Sequence, residues 1–135
     1  MNAEARDFWR RANEALPVAK AIIPLDPASA ASRAYYAAFY AVSAIFALEG
    51  KTFRRHSAVE SAVHRDLVRP GRWPRELGTA FSALSDLRMR GDYSLGQAIQ
   101  VEQASEAVSQ AEEILRAVSA LRPDELPIPP EHGQA

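Results

Sequence analysis

Residues 32–50 read SRAYYAAFYAVSAIFALEG, a stretch that is apolar almost all the way round yet carries Arg33, Tyr35, Tyr36 and Tyr40. Alanine recurs at Ala34, Ala37, Ala38, Ala41 and Ala44. That residue joins high helix propensity to a slim side chain, so neighbouring helices can approach such a segment closely from several sides. The preceding PLDPASAAS supplies a start signal. Asp26 suits the N-cap, and Pro27 suits the first helical position, where its missing N–H is not needed. Gly50 in LEGK is a natural residue just past the end. A helix of about 23 residues is roughly 35 Å long and forms the spine of the domain.

The flanking segments carry the same period. From about residue 3 to 22, Phe8, Ala12, Leu16, Ala19 and Ile23 fall at helical spacing, while Pro17 inside the pattern predicts a kink or a split into shorter helices. RHSAVESAVHRDLV predicts a short extra helix capped by Ser57 or His56, with Glu60 at capping-box distance from Ser57 and RPG as its stop. Residues 75–90 offer Leu77, Ala80, Phe81, Leu84 and Leu87 to a core, and a last helix offers Val101, Ala104, Val108, Ala111, Leu115 and Val118. Beyond Leu121, RPDELPIPPEHGQA holds four of the nine prolines and no apolar period, which predicts a disordered tail over 122–135. Strand-like alternation and internal repeats are absent from the sequence. The expected fold is an all-α, up-and-down bundle of four main helices plus a short extra helix over residues 1–121.

With 135 residues and no cysteine, one core is the simplest organisation and a thiolate site is excluded. His56, His64 and His132 fall in no metal-ligand spacing, and no Gly-rich phosphate loop or nucleophile elbow occurs. Neither a metal nor a cofactor is expected. No run approaches the ~18 uncharged apolar residues of a membrane span, so a soluble, cytoplasmic protein is expected. Charge is unevenly placed: residues 51–90 hold nine basic and four acidic side chains, residues 91–135 two and eight. A basic middle suits a polyanionic partner.

Arg33, Tyr36 and Tyr40 share one face of the spine. An arginine buried there needs an acceptor, and LRMRGDYS can supply one. Arg88 and Asp92 stand four apart in it, and Gly91 would let the chain leave the helix and aim Asp92 and Tyr93 outward. Arg33, Tyr36, Arg88, Asp92 and Tyr93 are therefore a candidate phosphate- or nucleotide-binding cluster; the other reading is that they only tie the spine to the fourth helix. Tyr35 and Phe39 lie on another face and read as core or interface aromatics. His56, following Arg54 and Arg55, reads either as a cap or loop residue or as a functional imidazole. His64 reads as a surface residue, and His132 belongs to the tail.

Taken together, SRAYYAAFYA, then FRRHSAVESAVHRDLVRPG, then ELGTAFSALSDLRMRGDY and a late alanine- and glutamate-rich helix resemble the HEPN family, in order and spacing, over roughly residues 5–120. The resemblance implies a small helical bundle, dimeric through long central helices and often encoded beside a minimal nucleotidyltransferase. Many such proteins belong to toxin-antitoxin or defence systems, and many are metal-independent endoribonucleases. In the ribonuclease branch an arginine is followed, after about four to six residues, by a histidine. Here Arg88 and Arg90 lead into GDYSLGQ, with Asp92 and Tyr93 where that histidine would stand, as in the R-x-x-(A/G)-D-Y subgroup. An unperturbed tyrosine, pKa ~10, is a poor base at neutral pH.

The resemblance thus implies a homodimer that binds RNA or a nucleotide in a toxin-antitoxin-like pair with a nucleotidyltransferase antitoxin, Tyr93 being a modification site. The alternatives are two. One is a metal-independent endoribonuclease toxin, with His56 and Arg88 as the catalytic residues and Arg33 helping to hold phosphate. The other is a non-catalytic structural helical dimer.

Overall fold

The computed structural model describes residues 2–93 and 98–130, with Tyr93 described in its backbone only. The chain forms α1 (Ala3–Ile22), α2 (Pro27–Leu48), α3 (His56–Ala62), α4 (Arg75–Tyr93) and α5 (Val101–Leu121), and a π-helical stretch Val63–Val68 prolongs α3. Among the described residues every regular element is helical. The architecture is the all-α bundle expected. The helix α2 lies at its centre, packed against α1, α5 and α4.

Small side chains make that central position available. Ala30, Ala34, Ala37, Ala38, Ala41 and Ala44 are fully buried along α2, on more than one side. Both ends form as their residues dictate. Asp26 accepts from the backbone N–H of Ser29 with Pro27 behind it, and Gly50 takes a positive φ of 76°. Gly50 N–H then reaches the Ala47 carbonyl and Lys51 N–H the Phe46 carbonyl, closing the left-handed helix stop.

Several local expectations are corrected. α1 runs through Pro17 as one helix rather than two, because Ala12, Ala15, Leu16 and Ala19 are buried as a continuous face against the bundle and packing outweighs the lost hydrogen bond. The short helix begins at His56 after Arg55, without a side-chain cap; Glu60 accepts from Ser82 of α4 instead of closing a capping box. Gly91 does not release the chain, since α4 continues to Tyr93. Val101 is exposed, and Ile99, ahead of α5, is buried.

The segment after Leu121, expected to be disordered, packs on the core through its first part. Leu126 is 0% exposed, the Pro127 carbonyl accepts from the Trp9 indole at 2.8 Å, and Ile128 lies against the core. Its prolines preclude helix but not docking: one buried leucine and one satisfied indole suffice to hold it. His132, assigned to that tail, lies outside the described residues. No helix among the described residues is long and apolar enough to cross a membrane.

Candidate functional site

In its N-terminal half α2 turns Tyr35, Tyr36 and Phe39 toward His56 at the start of α3, while Tyr40 stacks on Phe8 of α1. His56 is the first residue of α3, and its ring stacks on Phe39 with centroids 4.3 Å apart and planes 13° apart. Tyr35 lies parallel to it at 5.7 Å, and Tyr36 meets it edge-on at 5.8 Å. The Tyr35 hydroxyl and His56 Nδ1 are 2.8 Å apart. Three rings thus wall one imidazole.

Arg88 reaches this pocket from α4. Its guanidinium carbon sits 4.9 Å from the Tyr35 ring centre and 5.5 Å from that of Tyr36. Nη1 donates to the Tyr36 hydroxyl at 3.3 Å and stands 3.5 Å from Asp92 Oδ2. The side chain is only 13% exposed, and the buried Nε has no acceptor among the described residues. Such a cation is held mainly by aromatic faces. Its N–H groups are under-used by the chain, because the remaining contact of Nη2 is the weak acceptor Met89 Sδ at 3.6 Å.

The electrostatics follow from this wall. Burial, reinforced by the charge of Arg88, pulls His56 below its ordinary value, so the imidazole is neutral at pH 7. Burial pushes the Tyr35 phenol up to about 12 despite the nearby Arg88. Tyr35 therefore keeps its proton throughout the physiological range.

Of the residues singled out in the sequence, His56, Tyr36, Arg88 and Asp92 meet here. Arg33 does not join them as a buried partner of Asp92. It is exposed, lies over the outer side of Tyr36 at 5.5 Å, and has no ion-pair partner among the described residues. Asp92 pairs with Arg88 instead, one turn away on the same helix. Arg33 lines two adjoining open hollows of about 420 and 500 Å³, one shared with Arg11 and Tyr40, the other with Ser29, Ser32 and Asp92. The Tyr93 side chain lies outside the described residues.

Tyr35 was read as core, and 1% exposure bears that out, but its hydroxyl makes it part of the site as well. The signal was available in principle: a tyrosine at the core face of an alanine-lined helix must bring a partner for its hydroxyl. His64 is half-buried rather than on the surface. Its Nε2 is 2.9 Å from Ser82 Oγ, which donates to Glu60 Oε2 at 2.7 Å. Of the basic middle segment, Lys51, Arg65 and Arg72 are occupied by Glu49 and Asp66, whereas Arg54 and Arg55, next to His56, are exposed without an ion-pair partner among the described residues.

Fold and pocket together define a small all-α bundle domain with an aromatic-walled cationic site where α2, α3 and α4 meet. The HEPN domain model matches residues 5–121, and the chain belongs to the HEPN family. It is also 35% identical over 120 residues to a UPF0332 protein of Thermotoga maritima, an alignment covering 87% of this chain and 91% of that relative.

Proposed function

We propose that the chain is a phosphate-recognising HEPN module, binding a nucleotide or the equivalent phosphate within RNA, and acting as a homodimer in a toxin-antitoxin-like pair with a minimal nucleotidyltransferase. The observation that carries the binding role is the state of Arg88. It is a nearly buried guanidinium, held on tyrosine faces, whose Nε has no acceptor among the described residues and whose Nη2 meets only the weak acceptor Met89 Sδ. Phosphate oxygens are the acceptors that a guanidinium fork suits best. Neutral His56 stands beside it, and the exposed Arg54, Arg55 and Arg33 supply further cationic contacts around the pocket.

Metal-independent RNA cleavage is the second reading, favoured by one observation: an imidazole kept neutral beside a guanidinium has the protonation state a general base needs. Titrating AMP and a short single-stranded RNA into the protein, with EDTA present and salt varied, separates the two readings. Binding that weakens steeply with salt, without cleavage, is the expected result; cleavage lost in His56→Ala would transfer the proposal to the ribonuclease. Absence of both would overturn both. The partner role has its own test. Co-expression with a nucleotidyltransferase encoded beside the gene should leave an adenylyl group on Tyr93, next to Asp92 and one turn from Arg88, and unmodified Tyr93 in a peptide covered by mass spectrometry would remove that part of the proposal.

A further inference from the structure

Among the described residues the Tyr35 hydroxyl has one hydrogen-bond partner, Nδ1 of His56. A buried O–H that finds no acceptor is costly, and among the described residues the other polar groups near it make their contacts elsewhere, none of them to the phenol. On α4, Asp92 faces Arg88, and Arg88 is a donor only. On α3, Glu60 takes the proton of Ser82. On α2, the Tyr36 hydroxyl receives Arg88 Nη1. The rest of the surroundings is aromatic, Phe39 and Phe81 lying against the Tyr35 ring. The phenol must therefore donate, and Nδ1 must accept.

An imidazole whose Nδ1 accepts carries its single proton on Nε2. The opposite tautomer would turn Nδ1–H toward the phenol oxygen and strand the phenol proton among the rings. Protonating both nitrogens would do the same and would add a second positive charge beside Arg88.

We infer that Tyr35 is a positioning residue that fixes His56 as a neutral imidazole with its proton on Nε2, so that the site offers an incoming anionic oxygen a hydrogen-bond donor beside Arg88 rather than a base. The inference rests on the phosphate-binding reading and sharpens it. The ligand it fits is an acceptor-only group, a phosphate monoester or diester. It does not fit a hydroxyl that must be deprotonated at that edge. Among the described residues no hydrogen bond of His56 other than that of Nδ1 is seen, which leaves Nε2 for the ligand.

The tautomer can be read directly, without ligand, by long-range proton–nitrogen correlation NMR of the full-length protein carrying nitrogen-15 histidine, with His56→Gln used to assign the signal. The expected spectrum has His56 protonated at Nε2 and bare at Nδ1. In Tyr35→Phe, which keeps the ring, the preference for that tautomer should be lost and the His56 titration should move upward, because the donor that favoured the neutral form is gone. Addition of AMP to the unaltered protein should shift the His56 Nε2–H signal. A proton on Nδ1 in the unaltered protein, or a Tyr35→Phe spectrum with the tautomer unchanged, overturns the role of Tyr35 whether or not AMP binds. An Nε2–H spectrum with no response to AMP keeps the tautomer assignment and overturns the phosphate ligand, so the two failures are told apart.

Discussion

His56 and His64 stand on the same run of helix, each half-buried and each hydrogen-bonded to a hydroxyl on another helix, Tyr35 at 2.8 Å and Ser82 at 2.9 Å. What differs is where the hydroxyl proton goes. Ser82 donates to Glu60, so its oxygen accepts from His64 Nε2–H, and the bonds link α3, its π-helical extension and α4. The π-helical stretch bearing His64 also packs closely on α4: a Cβ at Gly78 would meet Val68 Cγ2 at 2.7 Å and the His64 ring at 3.0 Å. Tyr35 donates its hydrogen bond to the histidine itself, and among the described residues the chain of bonds stops there, beside an under-used arginine. The first arrangement ties helices together. The second leaves hydrogen-bonding capacity for a ligand.

That contrast breaks if disturbing the tie disturbs the site. Ser82→Ala leaves Glu60 and His64 without their shared partner, and should lower unfolding stability by about 1–3 kcal/mol while AMP affinity stays within twofold or so of the unaltered protein. Denaturant melts paired with titration calorimetry check both halves, and a loss of affinity at unchanged stability would reverse the assignment of roles.

A smaller effect sharpens the contrast through pH. His56 lies below its unfolded value, so the unfolded chain binds the proton more readily; the stability His56 contributes is present above about pH 6.5 and is lost as pH falls through its lower folded value. Tyr35 runs the other way, since its phenol rises from 10.0 to about 12, and its contribution is lost as pH climbs between those values. His56→Gln should flatten the acid side of the stability profile and Tyr35→Phe the alkaline side. Chemical denaturation at stepped pH measures this, and an unaltered acid limb in His56→Gln would contradict the environment assigned to the imidazole.

The smallest expected change is at Arg33. Being exposed on the outer face of Tyr36, it should shift stability by no more than about 0.5 kcal/mol when replaced by alanine. A larger loss would mean that Arg33 is buried against a partner, as its place among alanines and tyrosines suggested.

Much of this organisation was legible in the residues, and the exceptions have physical causes. Asp26, Pro27 and Gly50 act locally, so α2 and its ends could be read from sequence. Tyr36, Arg88 and Asp92 could be gathered from helical spacing and the R-x-x-(A/G)-D-Y motif, whereas His56 came in only as an imidazole that convergence of the 54–56 loop and the fourth-helix end would bring near. Tyr35 reads from sequence as a core or interface aromatic, since a helical face shows which way a ring points but not what its hydroxyl meets across the bundle. The capping box expected from Ser57 and Glu60 lost to Ser82, a tertiary competitor that no local pattern reveals. Arg33 and Asp92 were paired on the premise that Arg33 is buried; its exposure removes the need, and Arg88, one turn from Asp92 on α4, is the nearer cation. Leu126 and Ile128 dock from a segment whose prolines disguise it as tail.

The most direct test of the central claim is the affinity for AMP of the unaltered protein, Arg88→Ala and Ser82→Ala, titrated side by side at two salt concentrations. If the His56–Arg88 cluster is the ligand site, Arg88→Ala loses about tenfold or more in affinity, in line with the ~1.5–3 kcal/mol of a charged hydrogen bond, while Ser82→Ala binds as the unaltered protein does. Equal affinities for all three, or a loss confined to Ser82→Ala, would contradict the assignment of His56 and Arg88 to binding and of His64 to structure.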